Sequence, residues 1–420
     1  MFKTRYKSHH DAENEYSSLM KRNRASKEEL DAYLNDPEAI SMKDNAIYIH
    51  IPFCDRICSF CNMNRKILDN TLDMYVEDLL TQIAWMGNHK YFTTHEMQAV
   101  YFGGGTPTVL SPSHFKQILG ALRRVFKMID TCEITCESTL HNLSNEHLEM
   151  FKVLGINRIS IGIQTFQTEG RKFFNRTYNK EKVLERMKEI RRMFSGCLSI
   201  DKIYNYPGET KEMLLNDVQQ IIDLDIDSIS FYSLMIHKGS KLSEHLDVTD
   251  FSHEQDQEFH DIFVHTLCNT GDFEFLELTK IARVGRDQYR YMSIRNANGN
   301  TIPLGRGAGG KIDLLQVYNI DFNRVMIVKS ENHKSEVANK IYGICQHPII
   351  NKNELRCLCQ ETMDRIHDTI DLLVKNGYLK DIGNTWVMSE KGIFYGNNIG
   401  GLLAREYLQS LDISFKIQIT

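Results

Sequence analysis

The chain has 420 residues, 42% of them hydrophobic, and a formal net charge of −5. This length predicts two or three structural units with enough apolar residues for a sizeable core. The slightly acidic balance provides no general field that would attract nucleic acid or an anionic membrane. No apolar run has the length of a membrane-spanning helix, and the polar start MFKTRYKSHHDAENEY lacks the apolar segment of a secretory signal. A cytoplasmic protein is therefore expected.

The first two thirds of the chain divide into a helical arm and an α/β unit. Residues 1–45 are charged and predicted to be partly helical, and from 46 to 245 apolar strands alternate with amphipathic helices. The predicted strands are 46–51, 97–102, 133–138, 158–163, 198–204 and 228–234, and the predicted helices are 71–87, 113–127, 144–154, 180–193 and 209–223. Six strands in βα alternation predict a parallel sheet with right-handed crossovers. Because a full barrel has eight units, we expect a partial (β/α)6 TIM-type barrel with its active residues at the C-terminal strand ends.

The last third is harder to interpret. Residues 246–334 predict a connecting region on the substrate side, with a Gly-rich loop at 304–310. From 335 to 420 we predict a helix at 353–376, two short strands around a turn and a final helix at 398–410. This order resembles a winged-helix module. The acidic balance argues against DNA binding by it.

Three of the ten cysteines, Cys54, Cys58 and Cys61, fall within eight residues directly after the first predicted strand. In a reducing compartment such clustering indicates a metal site rather than disulfides. Three thiolates can hold three irons of a cubane cluster and leave the fourth iron free for a ligand. The alternative is a zinc site with His50 as its fourth ligand. The other cysteines, including Cys132 and Cys136 on one predicted strand, are expected in the core.

Glycines and polar residues follow the ends of successive predicted strands. Glycine lets backbone atoms approach a ligand closely, carboxylates can accept ribose hydroxyls or an ammonium group, and arginine can bind a carboxylate. Each polar residue alone is more often solvated or salt-bridged, but their recurrence at one sheet edge predicts a ligand site. The candidates are Gly104, Gly105, Thr106, Glu137, Gln164, Arg176 and Asp201.

These motifs together resemble one family. YIHIPFCDRICSFCNMN, YFGGGTPT, EITCES, RISIGIQTFQ, the Asn175-Arg176 pair and IDKIYNYPGE are similar to the oxygen-independent coproporphyrinogen oxidase-like (HemN-like) radical S-adenosylmethionine (SAM) proteins. The resemblance runs continuously over about 46–242. The activities found in this family are coproporphyrinogen decarboxylation, haem chaperoning, class C methyl transfer, cyclopropanation and anaerobic haem opening.

The resemblance implies a [4Fe–4S] cluster on the three cysteines and one or two SAM molecules in the active site. It implies that Gly104, Gly105, Glu137 and Arg176 bind the methionine moiety of SAM, that Gln164 and Asp201 bind its ribose, and that Thr106 belongs to the same cofactor site. Tyr48 would be a catalytic residue near cluster and substrate, or alternatively an inward-facing strand aromatic. Implied partners are haem or a related tetrapyrrole and a low-potential electron donor of the flavodoxin or ferredoxin type, with no nucleic acid and no membrane.

Within the family, residues 286–291 and the loop 302–310 resemble the anaerobic haem-degrading branch, the anaerobilin synthases of the ChuW/HutW/HmuW type. That branch implies radical methyl transfer to haem, ring opening and iron release. The alternatives are another HemN-like enzyme, such as a coproporphyrinogen III dehydrogenase or class C methyltransferase, and a non-catalytic haem chaperone.

The chain also departs from that branch. Tyr206 stands where the branch has leucine, and Lys280 stands where a histidine near the substrate is expected, with His237 as an alternative. The haem propionates need cationic partners, for which the sequence offers Arg283, Arg286, Arg290 and Arg306.

Overall fold

The structure is a computed structural model that describes residues 1–36, 43–246, 252–331, 333–359 and 362–417, with side chains described up to 411. Part of the predicted helical arm 1–45, residues 37–42, lies outside the described residues. Among the helices described, none combines the length and the apolarity needed to cross a lipid bilayer.

Eighteen strands are described in chain order. They are β1 (Arg22–Ala25), β2 (Asn45–Ile51), β3 (Phe53–Cys54), β4 (Lys66–Ile67), β5 (Glu96–Gly104), β6 (Lys127–Ser138), β7 (Arg158–Gln164), β8 (Cys197–Tyr204), β9 (Ser228–Ser233), β10 (Phe273–Glu277), β11 (Lys280–Arg283), β12 (Asn300–Leu304), β13 (Gly309–Ile312), β14 (Leu315–Asn319), β15 (Val325–Ser330), β16 (Ile349–Asn351), β17 (Leu379–Ile382) and β18 (Thr385–Met388).

Sixteen α-helices accompany the strands in the described residues. They are α1 (His9–Tyr16), α2 (Lys27–Asn35), α3 (Leu72–Met86), α4 (Lys90–Thr94), α5 (Pro112–Val125), α6 (Asn145–Leu154), α7 (Thr168–Phe173), α8 (Lys180–Met193), α9 (Lys211–Asp223), α10 (His253–Cys268), α11 (Arg290–Asn296), α12 (Lys334–Ile344), α13 (Lys352–Cys359), α14 (Met363–Lys375), α15 (Glu390–Phe394) and α16 (Gly396–Ile417).

The six predicted strands are confirmed as the parallel series β2-β5-β6-β7-β8-β9, and α3, α5, α6, α8 and α9 lie within two residues of the predicted helices. Each strand pairs in parallel with the next, and the α/β partial-barrel fold is confirmed. Because parallel strands end at one edge, their C-terminal ends form a single mouth for ligands.

The sheet is wider than the sequence predicted. β12 pairs in parallel with β2 and continues through β13, β14 and β15 to β1, while β11 and β10 add antiparallel strands beyond β9. These additions make a thirteen-stranded sheet. The predicted helix 353–376 is described as two helices, α13 and α14, and a separate sheet of β16, β18 and β17 lies beside them.

Side chains alternate along the barrel strands, as the period of two requires. On β7, Ile159, Ile161 and Ile163 belong to the main hydrophobic cluster that includes residues of the surrounding helices. The intervening residues, Arg158 and Ser160, are also buried, so this strand directs polar groups into the barrel. The barrel interior therefore contains buried polar groups that need partners.

The N-terminal arm contacts the C-terminal ends of β8 and β9. The Arg5 guanidinium donates to the Tyr204 hydroxyl at the end of β8 (2.9 Å), and Lys7 Nζ donates to the Leu234 carbonyl just beyond β9 (3.2 Å). Helix α1 then packs through Ala12 and Tyr16 into the second hydrophobic cluster, which also contains residues of α12, α14 and α16. The arm is thus held against strand ends on one side and C-terminal helices on the other.

Candidate functional site

The cysteine loop begins on the two-residue strand β3. Cys54 is buried, Cys58 and Cys61 are half-buried, and all three thiols are free. The Thr106 hydroxyl lies 3.5 Å from Cys54 Sγ and is positioned to donate to it. Thr106 therefore contacts the cysteine loop. In the part of the chain that the structure describes, no three Cys, His, Asp or Glu side chains converge as ligands of a single metal ion. A cubane does not require such convergence, because each thiolate binds a different iron.

The glycine loop after β5 is joined to the strand that carries the first cysteine. The Gly105 amide donates to the Ile51 carbonyl (2.8 Å), and a Cβ at Gly105 would lie only 2.6 Å from the Phe53 carbonyl oxygen. Gly104 has φ of +109°, and a Cβ there would lie 2.6 Å from the His50 ring. Glycine is therefore required at both positions for the two loops to approach one another.

His50 joins the barrel wall to the cysteine loop. Its Nε2 lies 2.8 Å from the Asn64 carbonyl oxygen, and its Nδ1 lies 3.0 Å from the Tyr48 hydroxyl. Since a carbonyl can only accept, Nε2 carries the proton and Nδ1 accepts from Tyr48. Both ring nitrogens are occupied in this way, so the alternative in which His50 completes a zinc site does not fit. The Tyr-x-His spacing, which places both side chains on one strand face, was the missed signal.

Glu137 lies at the end of β6 and faces the glycine loop. It accepts from the Tyr101 hydroxyl (2.7 Å) and from the Gly104 amide (3.2 Å). Burial raises the pKa of Glu137 to about 7, and the negative charge of Asp201 adds to the rise against the opposing hydrogen bonds. A cationic ligand would favour the ionised form and be bound by it.

Gln164, Arg176 and Asp201 converge on Gly162. Asp201 is opposite Gly162 in the β7–β8 ladder, and a Cβ at Gly162 would lie 2.5 Å from an Arg176 guanidinium nitrogen. Gln164 has φ of +68°, in the left-handed region. Among the described residues, Arg176 Nε is buried and has no hydrogen-bond partner. The site thus presents an uncompensated donor, as a ligand carboxylate would require.

A buried ionic network supports these strand ends from behind. Lys202 Nζ contacts Glu209 (2.7 Å) and Asp217 (3.0 Å), and all three side chains are at most 1% exposed. Asp217 also accepts from the Thr165 hydroxyl (2.7 Å), directly after Gln164. The network therefore fixes the chain on both sides of the ribose-binding candidates. This network was not predicted, because pairing between distant positions is not visible in a single sequence.

The opposite end of the barrel is closed by a second buried pair. Arg158 Nη2 lies 2.9 Å from Asp287, and both side chains are 1% exposed. Asp287 also accepts from the Ser228 hydroxyl (2.5 Å), and the guanidinium lies 4.4 Å from the centre of the Tyr289 ring. We refer to Arg158, Ser228, Lys280, Asp287 and Tyr289 as the barrel floor.

Lys280 belongs to this floor. It is fully buried and donates to the hydroxyls of Ser199 (2.8 Å) and Ser230 (2.9 Å). Burial lowers the pKa of Lys280, and the nearby Arg158 lowers it further. Contact of Lys280 or His237 with a substrate stays a prediction. His237 is half-buried just beyond β9, at the mouth.

The arginines expected at the propionates also lie elsewhere. Arg283 donates to the Ile226 carbonyl (3.1 Å) and Arg286 to Asp227 (3.0 Å), both just before β9 and therefore at the floor end. These two arginines therefore lie away from the mouth. Arg295, which the sequence analysis did not select, is exposed and lies 5.8 Å from the centre of the Tyr291 ring.

Comparison with known proteins agrees with this geometry. Residues 48–221 match the model of the radical SAM superfamily. The haem chaperone HemW of Lactococcus lactis is 31% identical over 195 residues, 46% of this chain and half of that protein. Anaerobilin synthase of Escherichia coli O157:H7 is 24% identical over 279 residues, 66% of this chain and 63% of that protein. The structure of E. coli coproporphyrinogen III oxidase (HemN) superposes with a TM-score of 0.76 at 17% identity, covering 90% of this chain and 94% of that one.

Residues 48–221, which include the cysteine loop, therefore match the radical SAM superfamily. The chain is similar in sequence to HemN-like proteins, and it shares the fold of HemN. The superfamily implies a [4Fe–4S] cluster and SAM, and the residues present fit both. Three free thiols lie on one loop, while Glu137 and the unpartnered Arg176 Nε offer groups of opposite charge for the ammonium and carboxylate of an amino acid.

Proposed function

We propose that this protein is a radical SAM enzyme that opens haem anaerobically by radical methyl transfer, with release of iron. One observation carries the proposal. Next to the Glu137 end of the cofactor site, the barrel presents an aromatic wall of Tyr48, Tyr101 and Tyr291 with the Arg295 guanidinium at its edge. A flat apolar macrocycle with acidic side chains requires these two features.

The wall is built from stacked rings. The centroid of Tyr101 lies 4.6 Å from that of Tyr291, and the Tyr48 centroid lies 6.0 Å from Tyr291 and 6.3 Å from Tyr101. The interplanar angles of these pairs are 28–30°. Such near-parallel rings offer an extended face for a conjugated macrocycle.

The charges of the interior favour a substrate with few carboxylates. Burial raises the pKa of Tyr232, and the negative charges of Asp201 and Glu277 raise it further, so this hydroxyl lies between two acids. Glu137 is a third acid on the same inner surface. Haem carries two propionates that Arg295, at the edge of the aromatic wall, could meet. Coproporphyrinogen carries four carboxylates and would be repelled more strongly.

Tyr48 is the candidate catalytic residue. When bound, the cluster and SAM would supply a 5′-deoxyadenosyl radical. The Tyr48 hydroxyl directs its proton to His50 Nδ1, which leaves its oxygen lone pairs free on the other side. In this arrangement Tyr48 can accept a proton from the substrate while passing its own to His50.

The experiment supplies reconstituted protein with haem, dithionite and SAM that carries a deuterated methyl group, under strict anaerobiosis. A linear, iron-free tetrapyrrole that contains deuterium is expected by mass spectrometry, together with both 5′-deoxyadenosine and S-adenosylhomocysteine. A closed, unlabelled ring that has lost carboxyl groups, formed when coproporphyrinogen replaces haem, would show a decarboxylase instead.

The second candidate is a haem chaperone without turnover. It is favoured by the similarity to the Lactococcus lactis haem chaperone HemW at 31% identity, higher than the 24% to anaerobilin synthase. The same experiment separates the two functions. Tight haem binding with no SAM consumption would identify the chaperone.

A further inference from the structure

The N-terminal arm brings a histidine to the edge of the aromatic wall. Lys7 Nζ donates to the Leu234 carbonyl just beyond β9 (3.2 Å), and two residues further along the chain His9 opens helix α1. Burial and then the positive charge of Arg295 lower the pKa of His9 to about 4, so the two side chains lie close together. Arg295 also lies 5.8 Å from the centre of the Tyr291 ring. The arm therefore reaches from the end of β9 to the edge of the wall.

Hydrogen bonds fix the backbone on both sides of His9. On one side, the Tyr6 amide donates to the side-chain oxygen of Asn398 (2.8 Å). On the other side, the Ser8 hydroxyl accepts from the Asp11 amide (3.3 Å), and the Asp11 carboxylate accepts from the Ser8 amide (3.0 Å). This reciprocal pair is a capping box, which stabilises the start of the helix. Since the arm is already ordered, presenting His9 to a ligand costs little conformational entropy.

The imidazole of His9 is half-buried, and within the described residues its ring nitrogens have no hydrogen bond or ion pair. Its ring contact there is with His10, at 4.0 Å between centroids. His10 is exposed, and its Nδ1 lies 3.9 Å from a carboxylate oxygen of Glu13. Because the pKa of His9 lies near 4, its ring is neutral at pH 7 and one nitrogen keeps a free lone pair. His9 can therefore act as a metal ligand without first losing a proton.

A neutral imidazole beside a cation at the wall edge fits the iron of a haem that lies on the wall. Neutral imidazole is a common ligand of haem iron. The stacked rings of Tyr48, Tyr101 and Tyr291 can cover one face of the macrocycle, and its other face then stays open to a ligand. The propionates lie at the rim of haem and the iron at its centre. A propionate on Arg295 therefore brings the iron toward the neighbouring His9.

His237 is a second half-buried histidine at this end of the barrel, just beyond β9. Burial lowers the pKa of His237, the charge of Asp11 opposes the fall, and the charge of His10 adds to it. These two charges belong to the outer part of the arm, whereas Arg295 at the wall acts on His9. His9 is thus the histidine at the wall edge, and His237 is the alternative ligand that a test must exclude.

We propose that His9 is the axial ligand of the haem iron when haem lies on the aromatic wall. The inference rests on the proposed function, which places haem at this site. One Fe–N bond forms between the neutral imidazole and the iron, any water on the iron is displaced, and no proton or electron is transferred. Stacking on the wall gives no directional contact, so this bond would fix the position of the macrocycle. It would also keep the iron on the arm when the ring opens.

The test uses the reconstituted full chain with haem and dithionite but without SAM, so that no turnover occurs. Resonance Raman spectra of the ferrous haem report the iron–histidine stretching vibration. The unchanged protein should show this band, and labelling its histidines with heavy nitrogen should shift the band. His9→Ala should lose the band and bind haem at least about tenfold more weakly, equivalent to about 1.4 kcal/mol. Added imidazole should restore the band, because it can occupy the space that the side chain leaves.

The matched control is His10→Ala, which removes the adjacent and exposed histidine of the same helical turn. It should keep both the band and the haem affinity of the unchanged protein. Iron and sulfide content should be the same in all variants, which shows that the cluster still assembles. If His9→Ala fails to fold, His9→Gln, which keeps a polar side chain of similar length, takes its place.

A band that persists in His9→Ala would overturn the proposal, as would loss of the band in His237→Ala alone. Haem bound by the unchanged protein without any iron–histidine band would overturn it too. None of these results bears on haem opening, which the deuterated SAM experiment measures separately. A protein that shows the His9-dependent band but forms no linear tetrapyrrole would contradict only the proposed function.

Discussion

The two ends of the barrel use similar polar residues in opposite ways. At the floor, the charges of Arg158 and Asp287 are paired with each other, and Lys280 is bonded to two hydroxyls. At the mouth, Glu137 has a pKa raised to about 7, and Arg176 Nε is buried without a partner among the described residues. Arg158 Nη1 is likewise buried without a hydrogen-bond partner, but the charge of Arg158 is compensated by Asp287, whereas Arg176 has no ion pair among the described residues. A partly buried charge without a counter-charge costs free energy, which a ligand of opposite charge would offset. The mouth therefore offers charges to a ligand, while the pair at the floor stabilises the fold.

Disrupting the buried ionic network behind the mouth should have the largest effect. This network both stabilises the fold and positions the strand ends of the proposed SAM site. Lys202→Met leaves Glu209 and Asp217 buried and uncompensated, which should cost about 3–5 kcal/mol of unfolding free energy. The folded fraction should also bind SAM more weakly, since Thr165 follows Gln164. Denaturant unfolding and calorimetry measure the two effects, and the exposed Lys211→Met is the control. Normal stability would refute the assigned network.

At the floor, only stability should change. Arg158→Met leaves the Asp287 carboxylate buried without its partner and should cost about 3–5 kcal/mol. SAM affinity measured well below the melting temperature should remain that of the unchanged protein. Lys182→Met, which removes one partner of a surface ion pair, should leave the unfolding midpoint in place. Loss of SAM binding in folded Arg158→Met would show that the floor is part of the ligand site.

The mouth should show the reverse pattern. Asp201→Ala removes the proposed partner of the ribose hydroxyls and should weaken SAM binding by about 1.5–3 kcal/mol, or about one to two decades. Cluster assembly and stability should be retained. Asp223→Ala, on the exposed surface of α9, is the matched control. An unchanged dissociation constant in Asp201→Ala would remove this residue from the site.

The smallest expected effect is a pH dependence. Because the pKa of Glu137 is raised to about 7, its carboxyl is protonated below that pH and loses its attraction for the ammonium of SAM. SAM affinity should therefore fall as pH is lowered from about 8 to about 6, by at most about 1.4 kcal/mol per pH unit. Glu137→Gln should bind SAM weakly, and its SAM affinity should change less with pH. Comparing the two proteins corrects for the titration of SAM itself. Equal slopes for both proteins would contradict the assignment.

The strands of the barrel were predictable because each is a short apolar run bounded by helical segments. The strands that extend the sheet on either side were not predictable. For example, β12 pairs with β2 across more than 250 residues, and such a register is set by packing rather than by local sequence. The motif residues at strand ends were predictable too, because they follow these apolar runs directly in the sequence. The surroundings of Lys280 were not predictable, because they depend on Ser199 and Ser230, which are adjacent only in the folded sheet.

The most direct test of the account is formation of 5′-deoxyadenosine. Reconstituted protein with SAM, haem and dithionite should release 5′-deoxyadenosine, measured by liquid chromatography with mass spectrometry. The variant in which Cys54, Cys58 and Cys61 are all replaced by Ala should bind no cluster iron and release none, whereas replacing Cys357 and Cys359 should change neither quantity. A triple variant that retains about four irons per chain, or that still cleaves SAM, would contradict the assignment of the radical site to this loop.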